Sequence, residues 1–328
     1  MNINIIGFIK AAILNGAPIM FGTSGEILTE KSGNMNLGVE GLMYMGGAFG
    51  LIAAFLYGNT MGSSANGFVC ILIALVSSFV AGVLGALIFS FLTITLRANQ
   101  NVTGLALTIF GTAVGQFACE YLRVQQGSYI SVSTELKNAF INPVMPEFLQ
   151  NIPFIGELLF QYNIFVYLGF VIVIAMHLFM NYSKKGLYLR SVGESPAVAD
   201  AAGIDVEKYK YLATLIGGGI SAIGGMVSIM TLSGCVWSKE GLAGTGWISV
   251  ALVIFCLWKP LNSVWGSILF GGLLIAYIRL PLPFLPAQIY KIVPYIVTII
   301  VLILVSIRQK RENQPPASLG IPYFREDR

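Results

Sequence analysis

The chain has 328 residues, 56% of them hydrophobic and only 10% charged, with a mean hydropathy of +0.78. A soluble domain of this length needs far more charge to cover its surface, so composition excludes that class and specifies an integral membrane protein. The net charge of +4 is mild, and its placement along the chain says more than its sum.

Apolar runs close to the roughly 20 residues that a helix needs to cross a bilayer fall at 5–24, 36–57, 67–96, 102–122, 161–181, 207–233, 244–258, 260–280 and 287–307. They predict an all-α polytopic bundle of about 9 (8–10) transmembrane helices; a β-barrel would show short alternating strands instead. The first run is expected to stay in the mature chain, because Lys10 lies inside it and no small-x-small cleavage site follows.

Between the first two runs, "GEILTEKSGNMNLGVEGLMYMGG" (25–47) sets Glu26, Glu30, Lys31 and Glu40 among two asparagines and six glycines. The expected layout is a charged turn near the inner surface from Glu26 to Lys31, then the broken beginning of a pore-lining helix from Asn34 to Gly47. A second interruption, "GLAGTG" (241–246), precedes the run at 244–258, which is short enough to be re-entrant. Paired interruptions of this kind mark discontinuous helices, since unwound backbone is tolerated in a membrane only where it lines a cavity or is buried in protein. No residue-level repeat relates the two halves.

Nine spans put the termini on opposite sides. The positive-inside rule then sets the N-terminus outside and the C-terminus in the cytoplasm, because this choice places thirteen of the nineteen Lys and Arg residues on the inner face. Residues 1–308 are expected to form one transmembrane domain, with an extracellular connection at about 123–160 and a cytoplasmic one at about 182–206, and 309–328 a cytoplasmic tail. The outer connection is expected to lie on the membrane surface, either as a partner's docking place or as a plain ordered loop. In the inner one, Ser195 as N-cap, Pro196 at the first turn and a stop at Gly203 predict a single surface helix of two turns.

Charged and amide side chains are expensive in lipid, on the order of 2.5–3.5 kcal/mol for Asp, Lys or Arg at the centre of a bilayer helix, so those present face protein or water. The candidates for a solute path are Asn34, Asn36, Glu40, Asn99, Asn101, Gln116 and Trp247, with Gln100 favoured as a helix–helix hydrogen-bonding group. Amides suit a neutral, hydroxyl-rich solute because each can donate and accept; helix–helix hydrogen bonding is the alternative for every one of them. Phe117, Trp247 and Phe255 could stack on a ring or pack against lipid. The only histidine, His177, sits in an apolar run without a second His or a carboxylate beside it, and is expected to be held by a backbone or hydroxyl partner. Cys70, Cys119, Cys235 and Cys256 lie in apolar stretches without a C-x-x-C pair and are expected to be core residues. No catalytic cluster and no metal site are expected. There is no G-x-x-x-x-G-K-[ST] sequence, so this chain cannot hold ATP phosphates in a P-loop.

The stretch "LRSVGESPAVADAAGIDVEKYK" resembles the coupling segment of bacterial ABC-type importer permeases of the simple-sugar, nucleoside and branched-chain amino acid class. "TEKSGNMNLGVEGLMYMGG" is similar to the N-terminal motif of the nucleoside branch, which takes a BMP-type binding protein. "LRANQNVTGLALTIFGT" (96–112), "GLAGTGWISVAL" (241–252) and "WKPLNSVWGSILFGG" (258–272) extend the likeness in order along nearly the whole chain. The resemblance implies a permease subunit, not an enzyme, that passes a nucleoside or related sugar-type solute into the cytoplasm across the bacterial cell membrane. It implies that Arg190, Gly193, Glu194, Pro196, Ala199, Ala202 and Gly203 couple the chain to a cytoplasmic ATPase. ATP and Mg would be bound by that partner, with no cofactor on this chain. The other implied partners are a second related permease, in a heterodimer, and an extracellular substrate-binding lipoprotein. The competing reading is an ion-driven secondary transporter using Glu40 or Glu120 as a proton site.

Overall fold

The computed structural model describes residues 5–279 apart from 154, 239 and 243, together with 292–293, 296–300, 303 and 314–325. The expected span at 287–307 lies largely outside these residues. Twelve helices are described: α1 (Ile5–Glu30), α2 (Val39–Met61), α3 (Gly67–Ser90), α4 (Gln100–Gln126), α5 (Thr134–Ile141), α6 (Glu147–Gln150), α7 (Ile164–Tyr182), α8 (Lys184–Glu194), α9 (Pro196–Ala201), α10 (Val206–Val227), α11 (Thr245–Phe255) and α12 (Pro260–Arg279). The only extended pairing among the described residues is an isolated bridge between Ser131 and Val236.

Among the described residues, six segments are long and apolar enough to cross a membrane: 5–30, 39–64, 67–95, 100–126, 164–182 and 206–232. α11 and α12 are shorter apolar helices. The chain is therefore a multi-pass, all-helical membrane protein. α2 and α10 make its centre, with 78% of their apolar windows buried against 33–44% for the other four long segments. α10 packs on α1, α2 and α3, α1 also packs on α11 and α12, and α4 rests mainly on α2.

Small residues allow these close crossings, because apolar side chains gain little by leaving lipid and tight backbone contact supplies the attraction instead. At the α2–α10 crossing, a β-carbon on Gly225 would collide with the Met43 carbonyl, and one on Gly46 with the Ala222 carbonyl.

Three sequence expectations change. α1 continues as helix through Glu30, so Glu26 and Glu30 occupy its last two turns, buried at 1% and 3% exposure, where a surface turn was expected. The 182–206 connection holds two helices, not one, because the Ser183 hydroxyl accepts the Gly186 N–H (2.9 Å) and starts α8 directly after α7. His177 is engaged by the Asn181 amide one turn on (3.0 Å), rather than by backbone or hydroxyl.

The 123–160 connection is pinned to the bundle. Val132 N–H donates to the Cys235 carbonyl (3.2 Å), Trp237 N–H to the Ile130 carbonyl (3.2 Å), and buried Phe140 stacks on Phe165. The four cysteines are free and buried, as expected.

Candidate functional site

α1 ends at Glu30, and a tight turn through Gly33 leads into unwound backbone, residues 34–38, that runs through the protein interior before α2 begins. Such backbone carries polar groups that must be satisfied locally. The side chains that do so come from α1 and α4. Met35 N–H donates to the Gln100 side-chain oxygen (2.6 Å), Asn36 N–H to Glu26 Oε1 (3.0 Å), and the Thr108 hydroxyl to the Leu37 carbonyl (2.9 Å). Asn36 Oδ1 accepts the Gly38 N–H (2.8 Å) in a local turn just before α2, and Asn34 Nδ2 donates to the Thr214 hydroxyl on α10 (2.9 Å).

Glu40, in the first turn of α2, joins this interruption to the second one. Its Oε1 accepts the Gly244 N–H (2.8 Å), and its Oε2 accepts the N–H groups of Gly246 (2.6 Å) and Trp247 (3.3 Å). Gly244 is the N-cap of α11 in the left-handed conformation (φ 83°) and has no side chain to cap the helix. Its orphan N–H groups therefore need an acceptor from elsewhere, and a carboxylate also complements the positive end of the helix dipole. A β-carbon on Gly246 would strike the Glu40 backbone, so the two chain segments are in direct contact. The two interruptions singled out in the sequence thus form one junction, closed by a single carboxylate.

The candidate residues separate by position. Asn34, Asn36 and Glu40 are buried at 1%, 1% and 6% exposure and build the junction. Asn34 Oδ1 and Asn36 Nδ2 have no hydrogen-bond partner among the described residues. Asn99 is the N-cap of α4, its Oδ1 accepting the Val102 N–H (3.1 Å). Asn101 and Trp247 are exposed and Gln116 is half-buried. Phe117 is exposed and stacks on Tyr121, while Phe255 meets Phe270 edge-on. Glu120 pairs with Arg123 (2.5 Å) on an accessible part of α4.

Sequence reasoning passed over Glu26 and Glu30 as site residues. Glu26 holds the junction backbone, and Glu30 accepts the indole N–H of buried Trp258, at the link between α11 and α12. Their one-turn spacing next to an apolar run was the available signal. Trp258→Phe leaves Glu30 buried without this donor, which costs about 1–3 kcal/mol; a corresponding fall in the melting temperature of the detergent-solubilised protein is the expected result.

At the same end of the bundle, Gly193 at the end of α8 lies against the Lys31 carbonyl with no room for a β-carbon. Burial pushes the Lys31 amino group below the usual lysine value, and the Glu194 carboxylate offsets part of that shift. α9 buries Ala199 beside Val192 and Val206, and leaves Val198, Ala202 and Gly203 exposed. Pro196 starts α9 and Arg190 is half-buried within α8.

The family model described as branched-chain amino acid transport system / permease component matches residues 8–302. The chain belongs to this family. It is a transport component and not an enzyme. It is 30% identical over 314 residues to the nucleoside ABC transporter permease protein NupC of Lactococcus lactis, covering 92% of this chain and 94% of that one. It is 28% identical to the guanosine ABC transporter permease protein NupQ of Bacillus subtilis, covering 98% of this permease and 97% of the relative. TsgC13 of Haloferax volcanii, provisionally named a glucose ABC transporter permease protein, is 31% identical over 265 residues, 81% of this chain and 75% of its own.

Proposed function

We propose that this permease is a membrane subunit of an ATP-binding-cassette importer that passes a nucleoside, or a related sugar-containing solute, into the cytoplasm of a bacterial cell. The observation that carries the solute class is the likeness to NupC and NupQ, which runs nearly end to end in both chains.

Energy comes from ATP and Mg on a separate cytoplasmic ATPase, and this chain binds no cofactor of its own. The coupling contact is α9 with its flanks, Arg190, Gly193, Glu194, Pro196, Ala199, Ala202 and Gly203. The exposed edge of α9 supports this assignment. The gathering of Lys31, Arg97, α8 and α9 at one end of the bundle supports a cytoplasmic C-terminus and, with nine spans, an external N-terminus. A second, related permease completes the pathway, and an extracellular lipoprotein delivers the solute.

Within the pathway, Asn101, Gln116 and Trp247 are the accessible polar and aromatic groups that meet solute. Asn34, Asn36 and Glu40 hold the broken helices behind it in shape. The ion-driven alternative is weakened because Glu120 is engaged by Arg123 and Glu40 by three backbone donors. In cells carrying the complete system, uptake of a radiolabelled purine nucleoside is expected to persist when a protonophore collapses the proton gradient and to stop when ATP is depleted. The reverse pattern would establish the secondary transporter.

A further inference from the structure

Residues 314–325 lie across α8, α9 and the turn that follows α1. The Ser318 N–H and hydroxyl both donate to the Gly193 carbonyl (3.0 and 2.5 Å), and Gly320 N–H donates to the Gly33 carbonyl (3.1 Å). Ala317 N–H approaches Glu194 Oε2 (3.4 Å), and the Tyr323 hydroxyl donates to Asp200 Oδ2 in α9 (2.8 Å). The Tyr323 ring packs against the small apolar cluster of Val192, Ala199 and Val206. The Arg97 guanidinium, just before α4, sits over the Phe324 ring at 4.6 Å.

Ser318 is 7% exposed although it lies ten residues from the chain's end. Pro315, Pro316 and Pro322 fix backbone angles in this stretch, which lowers the entropy lost on holding it in one path. The Arg325–Asp200 ion pair joins an exposed guanidinium to a mostly buried carboxylate (3.3 Å) and is a secondary part of the attachment. The backbone and buried hydroxyl bonds are the substantial part of the attachment.

The geometry points to the tail segment 316–324 as a strap that transmits movement of α9 to the unwound 34–38 segment, making Ser318 and Tyr323 positioning residues for solute transport. The physical route is continuous. α9 is tied to the tail at Asp200, the α8 terminus at Gly193 is tied to Ser318, and Gly320 is tied to Gly33, one residue before the Asn34 that bonds α10. From there the segment leads directly into the Glu40 junction. Apart from the strap, α8 meets the turn after α1 where Gly193 packs on the Lys31 carbonyl. A displaced α9 would lose its firm hold on the unwound segment if the strap were removed. The inference rests on the assignment of α9 as the ATPase contact.

The test uses the complete transporter with its ATPase, a chain ending at residue 313, and the full-length Ser318→Val, which removes the hydroxyl and adds bulk beside Gly33. Both are expected to reach the membrane, to retain the co-purifying ATPase and to keep its solute-independent hydrolysis. Nucleoside-stimulated hydrolysis and uptake are expected to fall about ten-fold, within the usual range of coupling between sites. Val198→Asp, on the exposed side of α9, reports separately on the ATPase contact. If Val198→Asp abolishes uptake while Ser318→Val transports normally, the strap is overturned and the contact stands. If Val198→Asp has no effect, the contact itself is wrong. A loss of uptake in Ser318→Val that only follows a loss of protein from the membrane would also overturn the strap, whether or not the shortened chain accumulates.

Discussion

Glu40→Gln is expected to lower the melting temperature of the solubilised permease sharply and to bring uptake close to background. The carboxylate offers acceptors only, and three backbone N–H groups of the α11 start point at it. A glutamine keeps one oxygen and turns an NH₂ group toward at least one of those donors. Losing a hydrogen bond to a charged group costs about 1.5–3 kcal/mol, and losing the charge at the helix N-terminus adds up to about 2 kcal/mol in a buried setting. A total of roughly 1.5–5 kcal/mol is a large part of the stability of a typical domain. Glu40→Asp keeps the charge but is one methylene shorter, so it should fall between the two. Thermal melting alongside uptake separates the roles: an unchanged melting temperature with lost uptake would mean that Glu40 touches solute instead of closing the junction.

Gly225→Val should be at least as damaging, for a reason of shape alone. The β-carbon of residue 225 would occupy the position of the Met43 carbonyl, and neither α2 nor α10 can withdraw without opening its other packed faces. Overpacking costs about 1–3 kcal/mol where side chains can adjust, and here the obstacle is backbone, so the loss should reach or exceed the top of that range. Gly272→Ala is the matched control. Its β-carbon meets Ala12 Cβ at 3.4 Å, an ordinary contact, and alanine favours the helix over glycine by about 1 kcal/mol. Chromatographic monodispersity and melting curves of the two variants should diverge; equal behaviour would show that the α2–α10 crossing tolerates expansion.

Hydropathy alone located the helices with uninterrupted apolar stretches. The expected runs 67–96 and 207–233 correspond to the described segments 67–95 and 206–232. It failed at the end of α1, because two glutamates look like an exit from the membrane. They are buried because the fold brings donors to them: the Asn36 N–H, where the chain turns back ten residues on, and the Trp258 indole, far away in sequence. The glycine-rich interruptions were visible as breaks, and the need to bury or line them followed from membrane physics. Their joining through Glu40 was not visible, since it depends on the placement of residues more than 200 positions apart. Asn181 beside His177 was legible at helical spacing, and Ser183 as the start of α8 was legible as a capping residue; neither was read. The tail was separated only by its polarity, and nothing in its composition indicates that Ser318 is buried against Gly193.

Solute movement through this permease is proposed to be driven by a partner's ATP hydrolysis, with a nucleoside preferred over a free sugar as the solute. The direct measurement is ATPase activity of the reconstituted permease–ATPase complex with its binding protein, across purine nucleosides, pyrimidine nucleosides, ribose and galactose. Stimulation by a nucleoside, with uptake into the vesicle in step, is the predicted result. Hydrolysis indifferent to every nucleoside but stimulated by a free sugar would contradict the solute assignment, and nucleoside uptake that proceeds without ATP would contradict the mechanism.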